Sequence, residues 1–595
     1  MEGPGLAMKH RAAFVILVCL AGGCAAAMLL PKLAVRPMHT DEAVHAWKLG
    51  DLLERNYYRY DPNEFHGPAL NYLTLPIAHL RGQHTYASLD EVTLRLVPAI
   101  CGIALVLAAM LLLDGLGGWA VAAAALLTAL SPAMSYFSRY YIMEAPLVLF
   151  TFLLIAAGYR YARGGHLGWC VLAGTAAGLM YATKETWVFA IAAMVVALGA
   201  AALWRRLAGN SGMGRGMGRG MGRGMGRGMG VPPMSARGVP PLDLLASSSS
   251  CTGEVPMLRP RLLWNWRVLA ALVVWAIVAG VFFSSFFTNA RGPIDAVAAY
   301  AHAFGRAMGG PDEGGNLHLH PWYFHFQNLF YTNYPGRGPV WTEALIGVLA
   351  VVGIAAGFTG RGLGKADGRL VRFLAVYTVA LLGIYTVLPY KTPWCALSPL
   401  HGMILLAGVG AGALVRLMPR IRLKAALCVL LLAGAGHLGW LAFLTNFRCY
   451  DDRRNPWVYA HTLSGAVKLG QRAEGIASID PAGYHMRINI FTPDPHDQWP
   501  LPWYLRRFDR VAYFTDVPAN PDAPMIIFRP EAWPRLQERL KDKDNYRYEH
   551  VGLRPAVVLT IGIRADLWKK YRDEVLAKRR PPASAQASPP GRPVP

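Results

Sequence analysis

The hydrophobic residues of this chain occur in long blocks that contain almost no charge. Most blocks approach the ~20 residues that a helix needs to cross the hydrocarbon core of a bilayer, and a soluble fold would have to bury all of them without a polar face. The pattern predicts eleven transmembrane helices, of which the one ending at Phe358 is the shortest: Phe14–Leu30, Val92–Leu113, Trp119–Tyr136, Ala145–Tyr161, Leu167–Ala182, Trp187–Trp204, Val268–Phe287, Ala344–Phe358, Phe373–Leu388, Ala396–Val415 and Ala425–Leu444.

The first block follows Lys9 and Arg11, which is also typical of a secretory signal peptide. No small-residue cleavage site stands out before Pro31. The sequence therefore favours a first helix that is retained.

Basic residues cluster in every second connection between the blocks. The formal net charge of +23 alone would be compatible with nucleic-acid binding, but this alternation is typical of the cytoplasmic loops of membrane proteins, so no nucleic-acid partner is expected. With eleven spans, the N-terminus is predicted to be cytoplasmic and the C-terminal segment to lie outside. The basic connections are Lys9/Arg11, Arg160/Arg163, Arg205–Arg267, Arg361–Arg372 and Arg416–Lys424.

The composition divides the chain into a membrane domain, residues 1–446, and a more polar segment, residues 447–580. The membrane domain has two long outer loops, 31–91 and 288–343, and a cytoplasmic insert, 205–266. In the insert, Gly-Met-Gly-Arg occurs four times between Gly212 and Arg227. This repetition predicts a flexible linker. Its arginines would reach anionic headgroups of membrane lipids, unless the repeat is only a tolerated expansion.

Short apolar strands alternate with helical stretches in residues 447–580, which predicts a small α/β domain outside the membrane. The Pro-rich residues 581–595 are predicted to be disordered. The predicted strands are Arg487–Phe491, Val511–Phe514, Met525–Phe528 and Ala556–Ile563, and the predicted helices are Ala466–Gly475, Glu531–Lys543 and Ala565–Lys578.

Charged residues recur in successive outer turns of the membrane domain, whereas the helix interiors are expected to be uncharged. Asp41 and Glu42 follow the first block. They are candidates for a general base or a cation ligand, or for the start of a helix. Cations in the later turns would bind a phosphate, or would only extend to the membrane surface. His66 lies further along the same loop as Asp41, and the later turns contain Arg139 with Glu144, Lys184 and Lys391.

Two aromatic segments are further candidates. The segment HLHPWYFHF contains three histidines, which invites a zinc site, but no fourth ligand is evident in the sequence. Trp322 and Tyr323 in this segment are typical of a membrane-interface belt and could also cover a sugar. Trp503 lies in WPLPWYLRRF, where it would either stack on a sugar or belong to a buried amphipathic helix.

These motifs, in their order along the chain, resemble those of the GT-C superfamily of membrane glycosyltransferases. The branch with protein O-mannosyltransferases and aminoarabinose lipid A transferases is the most similar one. More narrowly, TDEAVHAW, FHGPALNY and SRYYIMEAPL are similar to segments of the flippase activity-associated proteins. The matching motifs are Asp41–Glu42, His66-Gly67-Pro68, Arg139 with Glu144-Ala145-Pro146-Leu147, Thr183–Lys184 and Lys391–Trp394.

The resemblance implies an inverting sugar transfer from a polyprenyl-phosphate donor to a lipid, glycan or protein acceptor on the outer membrane face. Asp41 would be the base and Glu42 would position it or the acceptor. The cations Arg139, Lys184, Lys391 and His66 would bind the donor phosphate. Two positions depart from the family pattern, because His66 replaces a lysine and Glu144 replaces an aspartate. No cofactor is certain, but Glu144 would hold a divalent metal ion if one is used.

Two alternatives from other functional classes remain open at this point. A lipid-linked sugar transporter or flippase would need ionisable residues in mid-membrane and broken helices in paired halves. A non-catalytic polysaccharide-assembly protein would keep the fold without needing Asp41.

Overall fold

The structure is a computed structural model that describes residues 4–63, 66–210, 266–308, 318–334 and 338–579. The Gly-Met-Gly-Arg repeat, most of the predicted insert and the predicted tail 581–595 lie outside the described residues.

The described part of the first 447 residues is helical. Its helices are α1 (Pro4–Leu29), α2 (Thr40–Arg55), α3 (Ala69–Leu80), α4 (Glu91–Ala108), α5 (Leu113–Leu116), α6 (Gly118–Leu130), α7 (Pro132–Phe137), α8 (Glu144–Gly164), α9 (Leu167–Thr183), α10 (Trp187–Asn210), α11 (Trp266–Phe283), α12 (Gly292–Ala307), α13 (Phe324–Phe330), α14 (Ala344–Thr359), α15 (Gly368–Val387), α16 (Leu397–Leu417) and α17 (Ile421–Phe447).

Each of the predicted apolar blocks coincides with helical structure, so the predicted class of a polytopic α-helical membrane protein is confirmed. Among the described residues, 8 helices are long and apolar enough to cross a membrane. The apolar helices α6, α9 and α14 are shorter than these, and the predicted number of eleven spans is not confirmed. The predicted block Trp119–Tyr136 divides because Ser131 ends α6 and accepts a hydrogen bond from the Met134 amide (3.2 Å), which starts α7 at Pro132.

Helix α16 lies inside the bundle, where it packs against α6, α14 and α15. Its contact with α14 is close because both helices present glycine. A Cβ atom on Gly353 would lie 2.0 Å from the Leu406 carbonyl oxygen, and one on Gly410 would lie 1.9 Å from that of Leu349. Small residues bring membrane helices close enough for direct backbone contact, so this pair sets the spacing at the centre of the bundle.

The C-terminal segment forms a five-stranded sheet in the order β2-β1-β3-β5-β4. Strand β1 pairs in parallel with β2 and β3, and β5 pairs antiparallel with β3 and β4. The predicted α/β architecture is thus confirmed. The elements are α18 (Ser464–Ala477), β1 (Ile488–Phe491), α19 (Leu501–Tyr504), β2 (Val511–Phe514), β3 (Met525–Phe528), α20 (Trp533–Arg539), β4 (Tyr546–Arg554), β5 (Val557–Arg564) and α21 (Ala565–Arg579).

Strand β4 was not predicted from the sequence. Most of its first half is exposed, and YRYEH lacks the apolar alternation that identifies a half-buried strand. The strand is fixed by its partner β5, to which it is joined through a tight turn in which Ala556 has a φ of 66°.

The two domains contact each other through α19 and the residues after it. The Tyr504 hydroxyl accepts a hydrogen bond from the Met38 amide (2.9 Å), and the Arg506 guanidinium donates to the Leu89 carbonyl oxygen (3.1 Å). The C-terminal domain is therefore bound to the segments on either side of α2 and α3.

Several connections lie together at one end of the bundle, which we call the site end. Short bridges join His66 to Lys184 and Leu319 to Tyr390, and Arg36 donates to the Arg139 carbonyl oxygen (2.8 Å). The opposite end, which we call the far end, contains the C-terminus of α10 and the N-terminus of α15.

Candidate active site

Asp41 and Glu42 lie in the first turn of α2, and His39 caps this helix. The Asp41 amide donates to His39 Nδ1 (3.1 Å), while the Glu42 carboxylate accepts from the His39 amide (2.9 Å). These reciprocal bonds form a capping box. The alternative that this acidic pair begins a helix is therefore correct, and the cap fixes where both carboxylates lie.

Glu42 is completely buried and is surrounded by donors. Arg95 forms a bidentate pair with its carboxylate at 2.8 and 2.7 Å. Arg36 and the Tyr141 amide donate to the same carboxylate at 3.2 and 2.8 Å. Burial would raise the pKa of Glu42, but the charges of Arg95 and Arg36 outweigh burial and hold the pKa well below its usual value. Glu42 therefore joins α2 to its neighbours and is not accessible to an acceptor.

Asp41, the next residue along the chain, has a different environment. Its side chain is 41% exposed, against 0% for Glu42. His39 Nδ1 lies 3.8 Å from the Asp41 carboxylate, which is beyond hydrogen-bond range. Of the two predicted catalytic carboxylates, only Asp41 is accessible to a substrate hydroxyl.

The second group of predicted residues comes together where His66 bridges Lys184. The Lys184 ammonium donates to the Glu144 carboxylate in a buried ion pair. His66 Nδ1 lies 3.2 Å from the carboxylate of Glu185. Burial would lower the pKa of Lys184, but the charge of Glu144 outweighs burial and raises it. Lys184 therefore keeps its positive charge in a buried position.

Gly67 allows the segment with His66 to approach the segment with Lys184. Its amide donates to the Thr183 carbonyl oxygen (3.1 Å), and a Cβ atom at this position would lie 2.1 Å from the Ala182 carbonyl oxygen. Only glycine fits such an approach of two backbones.

His45 lies near both the Asp41–Glu42 pair and the group around Lys184. It lies one turn after Asp41 on the same face of α2, and its ring centroid is 5.7 Å from that of His66. Burial and the nearby charges of His66, Lys48 and Lys184 hold the pKa of His45 well below its usual value. His45 is therefore one helical turn from Asp41 and beside the group formed by His66, Lys184 and their carboxylate partners Glu185 and Glu144.

The structure places Arg139 elsewhere than the sequence predicted. Its guanidinium donates to the carbonyl oxygens of Leu29 (2.9 Å), Pro31 (2.8 Å) and Lys32 (2.9 Å). These carbonyls follow the C-terminus of α1, where backbone acceptors lack helical partners. The donors of Arg139 thus hold the end of α1, and its predicted phosphate-binding role stays a prediction.

Lys391 also binds backbone oxygens. Its buried ammonium donates to the His320 carbonyl (3.2 Å) and to the Leu388 carbonyl. His318 and His320 in turn lie 2.9 and 3.0 Å from the Tyr459 hydroxyl. Lys391 thus supports the histidine segment that contacts the start of the C-terminal domain, and its predicted contact with phosphate does not fit this arrangement.

The three predicted aromatic residues differ in accessibility. Trp322 and Tyr323 are 65% and 47% exposed, so both are available to a ligand. Trp503 is 0% exposed, and its indole donates to the Glu91 carboxylate (2.9 Å). Sugar stacking on Trp503 is therefore a wrong prediction, and the alternative of a buried segment is correct.

The predicted metal ion at Glu144 does not fit the side chains around this residue. The cation that contacts Glu144 is the Lys184 ammonium. Within the described ranges, no group of three or more His, Cys, Asp or Glu side chains is arranged to hold a metal ion.

Three residues that hold the site were not predicted from the sequence: Arg36, Arg95 and Tyr459. Arg95 lies in the membrane helix α4, so the expectation that the helix interiors are uncharged is wrong. A single arginine in the apolar block Val92–Leu113 was a detectable signal, because ionisable residues in membrane spans usually have a partner. Tyr459 carries no such signal, since its partners are far away in the sequence.

Comparisons with known proteins concern the family and the fold. Residues 71–216 match the model of the family described as dolichyl-phosphate-mannose-protein mannosyltransferase. This match includes Arg95, Glu144 and Lys184, and Asp41 precedes it. No curated protein matches the chain by sequence.

Among solved structures, the chain is similar to ArnT from Cupriavidus metallidurans bound to undecaprenyl phosphate, with a TM-score of 0.55 and 14% identity over 95% of this chain and 99% of that one. It is also similar to the apo state of the same protein, with a TM-score of 0.52 and 14% identity over 95% and 98% of the two chains. At this identity, the similarity establishes the fold.

The family match and the shared fold confirm the predicted resemblance to the GT-C superfamily. The narrower resemblance to the flippase activity-associated proteins stays a prediction. About a quarter of the chain thus matches the mannosyltransferase family model, and the chain shares the fold of ArnT.

Proposed function

We propose that the protein transfers a sugar from a polyprenyl-phosphate donor to a hydroxyl of a lipid, glycan or protein acceptor, and that the site end faces outside the cell. The observation that supports this most directly is the contrast between Asp41 and Glu42. One carboxylate is accessible while its neighbour is buried and fully bonded. A general base needs access to the proton that it removes, which selects Asp41.

Lys184 and His66 would stabilise the phosphate leaving group, since cations in a protected site stabilise developing negative charge. Glu144 would keep the Lys184 ammonium charged and in place. Trp322 and Tyr323 would cover the sugar. The donor would belong to the same lipid class as the undecaprenyl phosphate named in the ArnT complex. A single displacement by the activated hydroxyl inverts the anomeric carbon.

The test is sugar transfer by the purified protein supplied with radiolabelled polyprenyl-phosphate sugars and an extract of membrane lipids and glycans. Asp41→Asn keeps the size of the side chain but removes its basicity, so transfer should fall by at least ~100-fold. Asp51→Asn is the matched control, because Asp51 lies on the same helix and its side chain is 29% exposed. Wild-type transfer by Asp41→Asn would remove Asp41 from the mechanism.

The orientation is tested separately by labelling introduced cysteines with a membrane-impermeant reagent, after replacement of the native cysteines. A cysteine at Asp516, which is 65% exposed, should be labelled in intact cells. A cysteine at the exposed Arg361 should be protected. The opposite result would place the site end in the cytoplasm.

A further inference from the structure

A groove lies at the far end of the bundle, away from the candidate active site. It is bounded by the last turns of α10, the end of α14 and the start of α15, and it has a volume of about 270 Å³. Trp204 in this groove is 17 residues after Trp187, the first residue of α10. At 1.5 Å per helical residue, the groove is roughly 26 Å from the site end.

The walls of the groove are apolar and continue into the outer surface of the bundle. Leu203 and Leu207 line it and are 57% and 60% exposed, and Phe358 on the other side is 40% exposed. These residues belong to apolar helices of the membrane domain. In a bilayer, such surfaces contact lipid acyl chains.

Three arginines, Arg205, Arg369 and Arg372, line the same groove. Arg372 is held in place, because it donates to the Gly357 carbonyl oxygen (2.9 Å) and its guanidinium carbon lies 5.7 Å from the centre of the Trp204 ring. Among the described residues that line the groove, none is acidic. The groove thus combines a positive rim with apolar walls.

We propose that this groove binds an anionic phospholipid, with its phosphate at the arginines and an acyl chain along Leu203, Leu207 and Phe358. A soluble anion would have no use for the apolar walls, and a zwitterionic lipid would bring its own cationic group beside the three arginines. Arginine is suited to the phosphate because its guanidinium forms bidentate, charge-assisted hydrogen bonds with phosphate oxygens. This site does not depend on the function proposed above.

The experiment uses the full chain, purified in detergent and depleted of lipid. Binding and thermal stabilisation are measured by native mass spectrometry and by melting temperature, with phosphatidylglycerol and phosphatidylcholine of identical acyl chains. The wild-type protein should prefer phosphatidylglycerol. Arg205→Gln with Arg369→Gln should weaken phosphatidylglycerol binding by about tenfold or more, while phosphatidylcholine binding should be unchanged. Arg372 is left intact because its bond to the Gly357 carbonyl oxygen joins α15 to α14.

Two further variants distinguish lipid binding in this groove from general attraction to surface charge. Arg361→Gln with Arg422→Gln removes two exposed arginines at the same end that do not line the groove, and it should keep the preference. Ala201→Trp fills the groove but keeps the arginines, and it should lose the preference. If the control pair also loses the preference, or if Ala201→Trp retains it, the proposal is wrong. Equal protection by millimolar inorganic phosphate would likewise show an anion site and overturn the assignment to a lipid.

Discussion

Asp41 and Glu42 are adjacent, but the helix gives them opposite environments. Successive residues of an α-helix point about 100° apart, and α2 directs Glu42 towards Arg36 and Arg95. Asp41 is left at the accessible edge. Two carboxylates in different environments can have different roles in one site. The roles of Asp41 and Glu42 therefore follow from which face of α2 packs against α4.

Glu42→Gln should destabilise the protein, because it leaves two buried guanidinium groups without their counter-charge. Breaking a buried ion pair by removing one partner costs about 3–5 kcal/mol. The melting temperature in detergent should therefore fall clearly, whereas Asp41→Asn should leave it unchanged because Asp41 forms no buried pair. An unchanged melting temperature in Glu42→Gln would contradict the structural role assigned to this carboxylate.

The sequence and the family resemblance selected the acidic pair and made Asp41 the base, with Glu42 positioning Asp41 or the acceptor. The burial of Glu42 was not predicted, because its arginine partners are 6 and 53 positions away and no local pattern connects them. The same limit explains Arg139, whose position beside Glu144 suggested phosphate binding while its acceptors lie more than 100 residues earlier. His66 and Lys184 were predicted only as two of four phosphate-binding cations, and the structure shows that their backbones are adjacent.

At the scale of elements, Glu343 joins the start of α14 to the start of α7. Its buried carboxylate accepts from the Ser131 hydroxyl (2.5 Å) and the Ala133 amide (2.8 Å). Burial raises the pKa of Glu343 from 4.5 to about 7, although these hydrogen bonds oppose the change. The folded protein therefore retains a proton that the unfolded chain releases between these two values.

This raised pKa predicts a pH dependence of stability. The contribution of Glu343 is complete below about pH 4.5 and is lost as pH rises through about 7. The stability lost across this window is about 3 kcal/mol. Glu343→Gln can accept from the Ala133 amide and donate to the Ser131 hydroxyl, and it does not titrate. Its melting temperature should therefore fall less than that of the wild type between pH 5 and pH 8, and parallel profiles would contradict this account.

Gly67→Ala tests the contact between the two backbones at the site. The new methyl group would lie 2.1 Å from the Ala182 carbonyl oxygen, so the segment with His66 must move away from Lys184. Overpacking of this kind costs about 1–3 kcal/mol, and the KM for the donor should rise if these residues bind its phosphate. Gly158→Ala is the control, since a Cβ there meets nothing within 4 Å. Equal KM values in the two variants would argue against the phosphate site.

Some of the helices and strands could be predicted from the sequence, and others could not. The apolar blocks were sufficient to locate the membrane helices, because hydropathy decides which segments enter a bilayer. The break at Ser131 was missed, since Ser131-Pro132 occurs within an apolar run and looks like a continuation of it. Strand β4 was missed for the opposite reason: its exposed residues are polar, and only its pairing with β5 makes it a strand.

At the scale of the whole molecule, the C-terminal domain and the membrane domain form one site end. Tyr459, near the start of the C-terminal segment, contacts His318 and His320 with its hydroxyl, and its carbonyl oxygen lies 3.1 Å from His39 Nε2. His39 is the cap of the helix that carries Asp41. The position of the C-terminal domain is therefore coupled to the start of α2.

Two tryptophans allow this coupling to be separated from substrate binding. Trp503 is buried between the domains, where it bonds to Glu91 and stacks with Arg506, whose guanidinium carbon lies 3.8 Å from the ring centre. Trp503→Ala removes a fully buried aromatic side chain, which costs about 3–5 kcal/mol. We expect a lower melting temperature and faster proteolysis between the domains. Trp322 is 65% exposed, so Trp322→Ala should leave stability unchanged.

The KM for the donor should also distinguish these two variants, but here Trp322→Ala is the variant that should differ from the wild type. Trp322→Ala should raise the KM for the donor sugar at normal stability, because an exposed aromatic ring that covers a sugar contributes to binding and not to folding. Trp503→Ala should lower activity only to the extent that the fraction of folded protein falls, and transfer measured well below its melting temperature should keep the wild-type KM. If Trp322→Ala keeps the wild-type KM, the exposed aromatic segment does not bind the sugar. If Trp503→Ala instead raises the KM at full folding, the orientation of the C-terminal domain takes part in donor binding.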